Sequence, residues 1–216
     1  MRDISHDADS YYARNRDGQR QFVGDYFQTY LETLVHPGME VLEVGCSSGY
    51  RLNALRGKGC VCFGIDPSES AITEGKERYG DLELTVGVAH ALPYPDKKFS
   101  LIYVPTVFYC IPREFLLHTY AEIDRVLADG GLLVIDDFFP KEPYRRTDRH
   151  APGEYVYKQF YWEPYVASGT YTILERLPHR IGENRFDQAL TGGDDESITV
   201  TLQKSLQGNY PTREHS

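Results

Sequence analysis

Val41-Leu42-Glu43-Val44-Gly45-Cys46-Ser47-Ser48-Gly49 decides how the rest of the chain is read. Val41, Leu42 and Val44 form the short apolar run that a parallel strand needs when both of its faces are covered. The glycines flanking Cys46-Ser47-Ser48 allow a sharp turn and a close backbone approach to a ligand. The stretch reads as a buried strand, a glycine turn and a helix start. Two ligand classes use such a turn. A pyrophosphate asks for G-x-G-x-x-G, but here Cys46 and Ser47 follow Gly45 and the second glycine is missing. Glu43, two residues before the turn, repels a polyanion and attracts a cation. A cationic ligand is favoured.

Working outward, Cys60-Val61-Cys62-Phe63-Gly64-Ile65 is apolar until Asp66, about twenty residues past the turn, where a carboxylate accepts from ribose hydroxyls. A nucleoside with positive charge and no pyrophosphate describes S-adenosylmethionine. Further blocks follow in order: Gly64-Ile65-Asp66-Pro67-Ser68, then Ala89-His90-Ala91-Leu92-Pro93-Tyr94-Pro95-Asp96-Lys97-Lys98-Phe99, then Glu122-Ile123-Asp124-Arg125-Val126-Leu127 leading to Gly130-Gly131-Leu132-Leu133-Val134. Over roughly residues 20–140 the chain resembles the class I S-adenosylmethionine-dependent methyltransferases. That resemblance implies an α/β, Rossmann-like, doubly wound seven-stranded sheet, mostly parallel with an antiparallel C-terminal strand. It implies S-adenosyl-L-methionine as cofactor and S-adenosyl-L-homocysteine as product. The cofactor contacts it places on this chain are Tyr12, Glu43, Gly45, Cys46, Gly49, Asp66, Pro67, Ala89, His90 and Pro105.

The 216 residues suit one domain. Its expected parts are an N-terminal lid segment (1–20), a cofactor-binding core (20–140), an insertion capping the substrate (141–169), a C-terminal β-hairpin (170–206) and a flexible tail (207–216). The net charge of −9 argues against a nucleic-acid partner, because phosphate neutralisation needs a basic face. No signal-peptide core and no run as long as a membrane span is present, so a soluble, cytoplasmic monomer or homodimer is expected. The four cysteines show neither zinc nor disulfide spacing.

Tyr11-Tyr12 lie in a polar leader that either stays solvated or closes over the cofactor, with Tyr12 as the candidate contact. Phe22, Val23, Tyr26, Phe27, Tyr30, Leu31, Leu34 and Val35 predict one amphipathic helix ending before Pro37-Gly38. Leu82, Leu84, Val86 and Val88 alternate as an edge strand does. His90 could titrate near neutral pH, but the resemblance gives its block an adenine contact. Tyr171–Leu174 and Ser197–Leu202 read as the sixth and seventh strands.

The acceptor end is read from fewer residues. Asp136-Asp137 close the fifth strand, and one of them is expected to line the acceptor pocket. A metal there would want further oxygen ligands that the sequence does not offer, so no metal is assigned. Asp137 and Tyr109 are candidate bases, with His150 a third. Arg145, Arg146 and Arg149 form a basic cluster that either stays solvated or grips an anionic group on a small-molecule acceptor. Ser100, Tyr109 and Cys110 stand where the resembling family often carries Asp and histidines, which weakens transfer of a histidine mechanism. The expected activity is methyl transfer to oxygen or nitrogen of a small molecule. A cofactor-binding homologue without catalysis and a nicotinamide-dependent oxidoreductase are the alternatives.

Overall fold

The computed structural model describes residues 4–148 and 153–207. In order the elements are α1 (Ile4–Arg20), α2 (Tyr26–Thr33), β1 (Glu40–Val44), α3 (Tyr50–Arg56), β2 (Val61–Asp66), α4 (Glu69–Arg78), β3 (Glu83–Val86) and β4 (Phe99–Pro105). Then come α5 (Leu116–Val126), β5 (Leu127–Phe138), β6 (Tyr144–Thr147), β7 (Tyr155–Lys158), α6 (Glu163–Ala167), β8 (Tyr171–Arg180) and β9 (Glu196–Lys204). Seven strands form one sheet in the order β3-β2-β1-β4-β5-β9-β8, and β6 pairs only with β7. The β1–β2, β1–β4, β2–β3 and β4–β5 pairs are parallel, while β9 runs against both neighbours. The sheet is therefore the expected one, and β3 is an edge.

Each sheet face carries its own core. Leu42, Ile102 and Ile135 join α5 and α6 on one face; Val41, Tyr103 and Val134 pack with α2, α3 and α4 on the other. The chain leaves β1 in one direction and β4 in the other, so their carboxyl ends open the crevice where such sheets take ligands.

Three elements depart from the sequence reading. Residues 4–20 are a helix, and its only buried side chains are Tyr12 and Gln19. Polar contacts hold it to α4: Arg20 makes a two-pronged pair with Glu74 at 2.8 and 2.7 Å, and Asp9 accepts from the Ser68 hydroxyl at 2.6 Å. The predicted helix over Phe22–Val35 begins later, because Asp25 is its N-cap and accepts from the Gln28 amide at 2.7 Å. Phe22 instead stacks edge-on against Tyr50, and Val23 is fully exposed. The sixth strand runs on to Arg180, through Pro178, which an edge strand tolerates.

Candidate functional site

Gly45, Ser47 and Gly49 all have positive φ, so the turn after β1 folds back tightly. The Gly45 and Cys46 amides donate to the Ile65 carbonyl at 2.8 and 3.1 Å and tie the turn to β2. A Cβ on Gly45 would lie 2.3 Å from Val107 Cγ2, so the loop after β4 presses onto the turn. Cys46 puts its side chain into the core beneath α3, leaving only its backbone on the turn.

Two buried acids flank the turn. Asp66 accepts from the Ser47 amide through Oδ2 and from the Ser68 amide through Oδ1, each at 2.8 Å. Burial raises its pKa. An ionised carboxylate has about four lone-pair sites, so two stay open for ribose hydroxyls. Glu43 lies behind the turn, 1% exposed, and accepts from the Tyr103 hydroxyl at 2.8 Å. Burial pushes its pKa up to about 8, against the pull of Arg51.

α1 lies across the mouth of this turn: Gln19 Oε1 accepts from the Ser47 and Ser48 hydroxyls at 2.9 and 3.3 Å. Tyr12 is buried on the side of Glu74, and burial together with that carboxylate raises the phenol pKa. Tyr11 is exposed, and the groups whose charges act on its phenol are Cys110, Arg51, Asp66 and Arg14. Pro67 follows Asp66 into the Ser68 cap of α4. Ala89 is buried, and His90 lies flat on Phe115 at 4.0 Å and 7°. Burial and the charge of His118 lower the His90 pKa, which leaves the ring a neutral, stacked surface.

At the carboxyl ends of β4 and β5 lies a cavity of about 280 Å³, lined among others by Tyr26, Arg51, Pro105, Thr106, Asp136 and His179. Asp136 and Asp137 do not act as a pair, because successive strand residues face opposite ways. Asp136 opens into the cavity, whereas Asp137 turns toward Tyr109, Tyr120 and Tyr161 on the α5 face. Asp137 accepts from the Phe138 amide at 2.8 Å, and burial lifts its pKa to about 8 although the Tyr109 and Phe108 amides also favour its charge. Tyr109 packs edge-on to Phe138 at 5.0 Å, and burial raises its phenol pKa. These two candidate bases thus meet each other but do not line the cavity. Arg145 of β6 stacks on Tyr155 of β7, and Arg146 buries an Nε without a hydrogen-bond partner; neither lines the cavity. Arg149 and His150 lie outside the described residues.

Residues 42–135 match the family model described as a methyltransferase domain. Among curated relatives, a putative 23S rRNA (guanine-N1)-methyltransferase of Bacillus subtilis is 28% identical over 141 residues, covering 60% of this chain and 47% of the relative. The chain spans about half the length of the curated relatives it matches. Among solved structures, one chain in the complex of the Haloferax volcanii Trm112 activator with a putative methyltransferase aligns with a TM-score of 0.65 at 20% identity, covering 91% of this chain and 97% of that one. The Burkholderia thailandensis 1,6-didemethyltoxoflavin-N1-methyltransferase, solved with its substrate and S-adenosylhomocysteine, aligns with a TM-score of 0.67 at 12% identity, covering 95% and 92%.

Residues 42–135 thus match a methyltransferase domain, on the fold of solved S-adenosylmethionine-dependent methyltransferases.

Two residues beside the cavity escaped the sequence reading. Tyr26 reads there as one member of an apolar stripe; its place directly after the Asp25 cap is the signal that it begins a helix at the crevice. His179 follows Pro178, which reads as the end of a strand unless that strand is at an edge. Among the described residues no helix is long and apolar enough to cross a membrane, and no cluster of three or more His, Cys, Asp or Glu could hold a metal ion.

Proposed function

We propose that this chain binds S-adenosylmethionine across the Gly45–Gly49 turn and transfers its methyl group to an oxygen or nitrogen of a small-molecule acceptor. When bound, the cofactor supplies an electrophilic methyl on a positively charged sulfur. The observation that carries this reading is the pair of buried acids, Glu43 and Asp66, on either side of a tight turn with positive φ at Gly45, Ser47 and Gly49. Burial disfavours their charged forms, and a cationic nucleoside offsets that cost with a positive charge for Glu43 and hydroxyl donors for Asp66. Tyr11, Ala89 and His90 supply walls for the adenosine, and Pro105 with Thr106 faces the methionine end. The chain must mainly hold donor and acceptor in line and exclude water, which can supply roughly 7–11 kcal/mol of the barrier.

The name of the Bacillus relative raises an RNA acceptor for this chain. Charge opposes it: the net charge is −9. The test is calorimetric titration with S-adenosylmethionine and S-adenosylhomocysteine. Asp66→Ala, by removing hydrogen bonds to a charged acceptor, should weaken both by about 10- to 100-fold. Unaltered affinity in that variant would make the ribose assignment wrong, and no binding by the wild type would remove the donor.

A further inference from the structure

Tyr26, His179 and Asp136 come from three separate elements, α2, β8 and β5, and form one hydrogen-bonded chain on the cavity wall. The Tyr26 hydroxyl is 2.7 Å from His179 Nδ1, and His179 Nε2 is 3.0 Å from Asp136 Oδ2. The same Oδ2 accepts from the Thr199 hydroxyl at 2.5 Å. The imidazole is 4% exposed and boxed by the Tyr26 ring at 5.0 Å and the Phe186 ring at 6.2 Å. An ionised carboxylate can only accept, so Nε2 carries the proton toward Asp136 and Nδ1 accepts from Tyr26. Every donor in the chain then has an acceptor, and all three residues line the cavity.

Nothing in packing alone asks for this arrangement. A half-buried tyrosine can send its hydroxyl to water, and a buried imidazole is costly unless both nitrogens find partners. Here the carboxylate orients the ring, the ring receives the phenol's proton, and the phenol reaches the space beside Pro105 and Thr106. The parts play the roles of orienter, base and proton-bearing oxygen familiar from triads.

We propose that Tyr26, backed by His179 and Asp136, is the proton acceptor for an uncharged hydroxyl, an alcohol or phenol, bound in this cavity. The proposal rests on the methyl-transfer reading and narrows its acceptor class. As the acceptor oxygen attacks the methyl carbon, its proton passes to Tyr26 Oη and the Tyr26 proton passes to His179 Nδ1. The C–S electron pair stays with sulfur, and Asp136 holds the imidazolium that forms. A carboxylate or a neutral amine attacks without first losing a proton and has no use for such a chain. Tyr26 is the catalytic residue; His179 and Asp136 are positioning residues. The other charged groups around Tyr26 are Asp25, the cap of its helix, and Arg51 of α3, paired with Asp25 at 2.6 Å. Next to His179 on β8, Arg180 approaches Glu196 of β9 at 3.8 Å.

The test uses the full chain, ¹⁵N-labelled, and long-range ¹H–¹⁵N spectra of its imidazoles, with His179 assigned by His179→Gln. The expected result is the Nε2–H tautomer at neutral pH. Tyr26→Phe removes the bond to Nδ1 and should move that nitrogen's resonance, and Asp136→Asn should weaken the preference for the Nε2–H tautomer. With S-adenosylhomocysteine bound, 4-fluorophenol should shift the His179 resonances in the wild type and lose that effect in Tyr26→Phe. An Nδ1–H tautomer, or an Nδ1 resonance indifferent to Tyr26→Phe, overturns the relay; His179 resonances blind to 4-fluorophenol overturn the acceptor class. Calorimetry of S-adenosylhomocysteine on the same samples keeps the failures apart. Wild-type binding together with the wrong tautomer sinks the relay alone, whereas no binding sinks the methyl-transfer reading.

Discussion

Glu43 sits where water cannot reach it, with Tyr103 as its hydrogen-bond donor and Arg51 as the cation acting on it from α3. With its pKa pushed up to about 8, the carboxyl holds its proton at neutral pH in the ligand-free chain. A sulfonium brought to the far side of the turn favours the charged form, so cofactor binding should expel a proton. Calorimetry at pH 7 in two buffers of different ionisation heat measures this directly. The expected release is close to one proton for S-adenosylmethionine and less for S-adenosylhomocysteine, whose sulfur is uncharged. Glu43→Gln should abolish the difference between the buffers. Equal heats in both buffers for the wild type would mean that Glu43 does not feel the ligand's charge. At this scale the sequence was informative about the acids themselves, because an acid at a strand's end is visible as a break in an apolar run. It favoured Tyr12 of the Tyr11-Tyr12 pair, but neighbours on a helix point about 100° apart, and the docking of α1 buries Tyr12 on the side of α4.

Among the elements, α2 depends on one residue that serves two purposes. Asp25 caps the helix through the Gln28 amide and binds Arg51 through both oxygens, at 2.9 and 2.6 Å, while Arg51 spreads over the rings of Phe22, Phe27 and Tyr50. Both side chains of the pair are mostly buried, at 14% and 25% exposed. Asp25→Ala loses the cap, about 1 kcal/mol, and strands a largely buried guanidinium, for a total of about 2–4 kcal/mol. Asp25→Asn keeps the cap and should lose roughly half as much. Urea unfolding of the two variants distinguishes them, and equal losses would mean that the cap contributes nothing. The same residue explains why the predicted helix began too early: apolar spacing from Phe22 onward continues through Asp25, and only the capping bond shows where the helix starts. β1, β2, β4 and β5 were legible because strands buried on both faces are continuous apolar runs. α1 was not, because its attachment is ionic and leaves no apolar stripe. The far half of β8 was not, because Glu175, Arg176 and Pro178 are tolerated only at an edge, and edge position is a property of the sheet.

The whole molecule combines two sets of acids with opposite effects on its pH response. Arg20 beside Glu74 holds that carboxyl down to about 2, and Arg125 lowers Glu122, so the stability these groups supply is present above their unfolded values near pH 4 and is lost in acid. Both lie in partly exposed pairs, so their contributions are small. Glu43 and Asp137 act the other way. Burial raises both to about 8, so between about pH 4 and pH 8 the native state keeps protons that the unfolded chain has released. Their contribution is full below pH 4 and is lost as pH rises toward 8. With a net charge of −9 at neutral pH, added negative charge inside the fold adds to existing self-repulsion. The ligand-free chain should therefore be most stable on the acid side of neutrality, near pH 5, and its urea midpoint should fall steadily from there to pH 8. Glu43→Gln with Asp137→Asn keeps similar shapes and removes both titrations, so the double variant should show a visibly flatter profile over the same range. Parallel profiles for wild type and double variant would show that neither buried acid is protonated in the native state. Saturating S-adenosylmethionine offers a second view of the same linkage: by favouring ionised Glu43, it should stabilise the wild type more at pH 8 than at pH 5.5, and should lose most of that bias in Glu43→Gln.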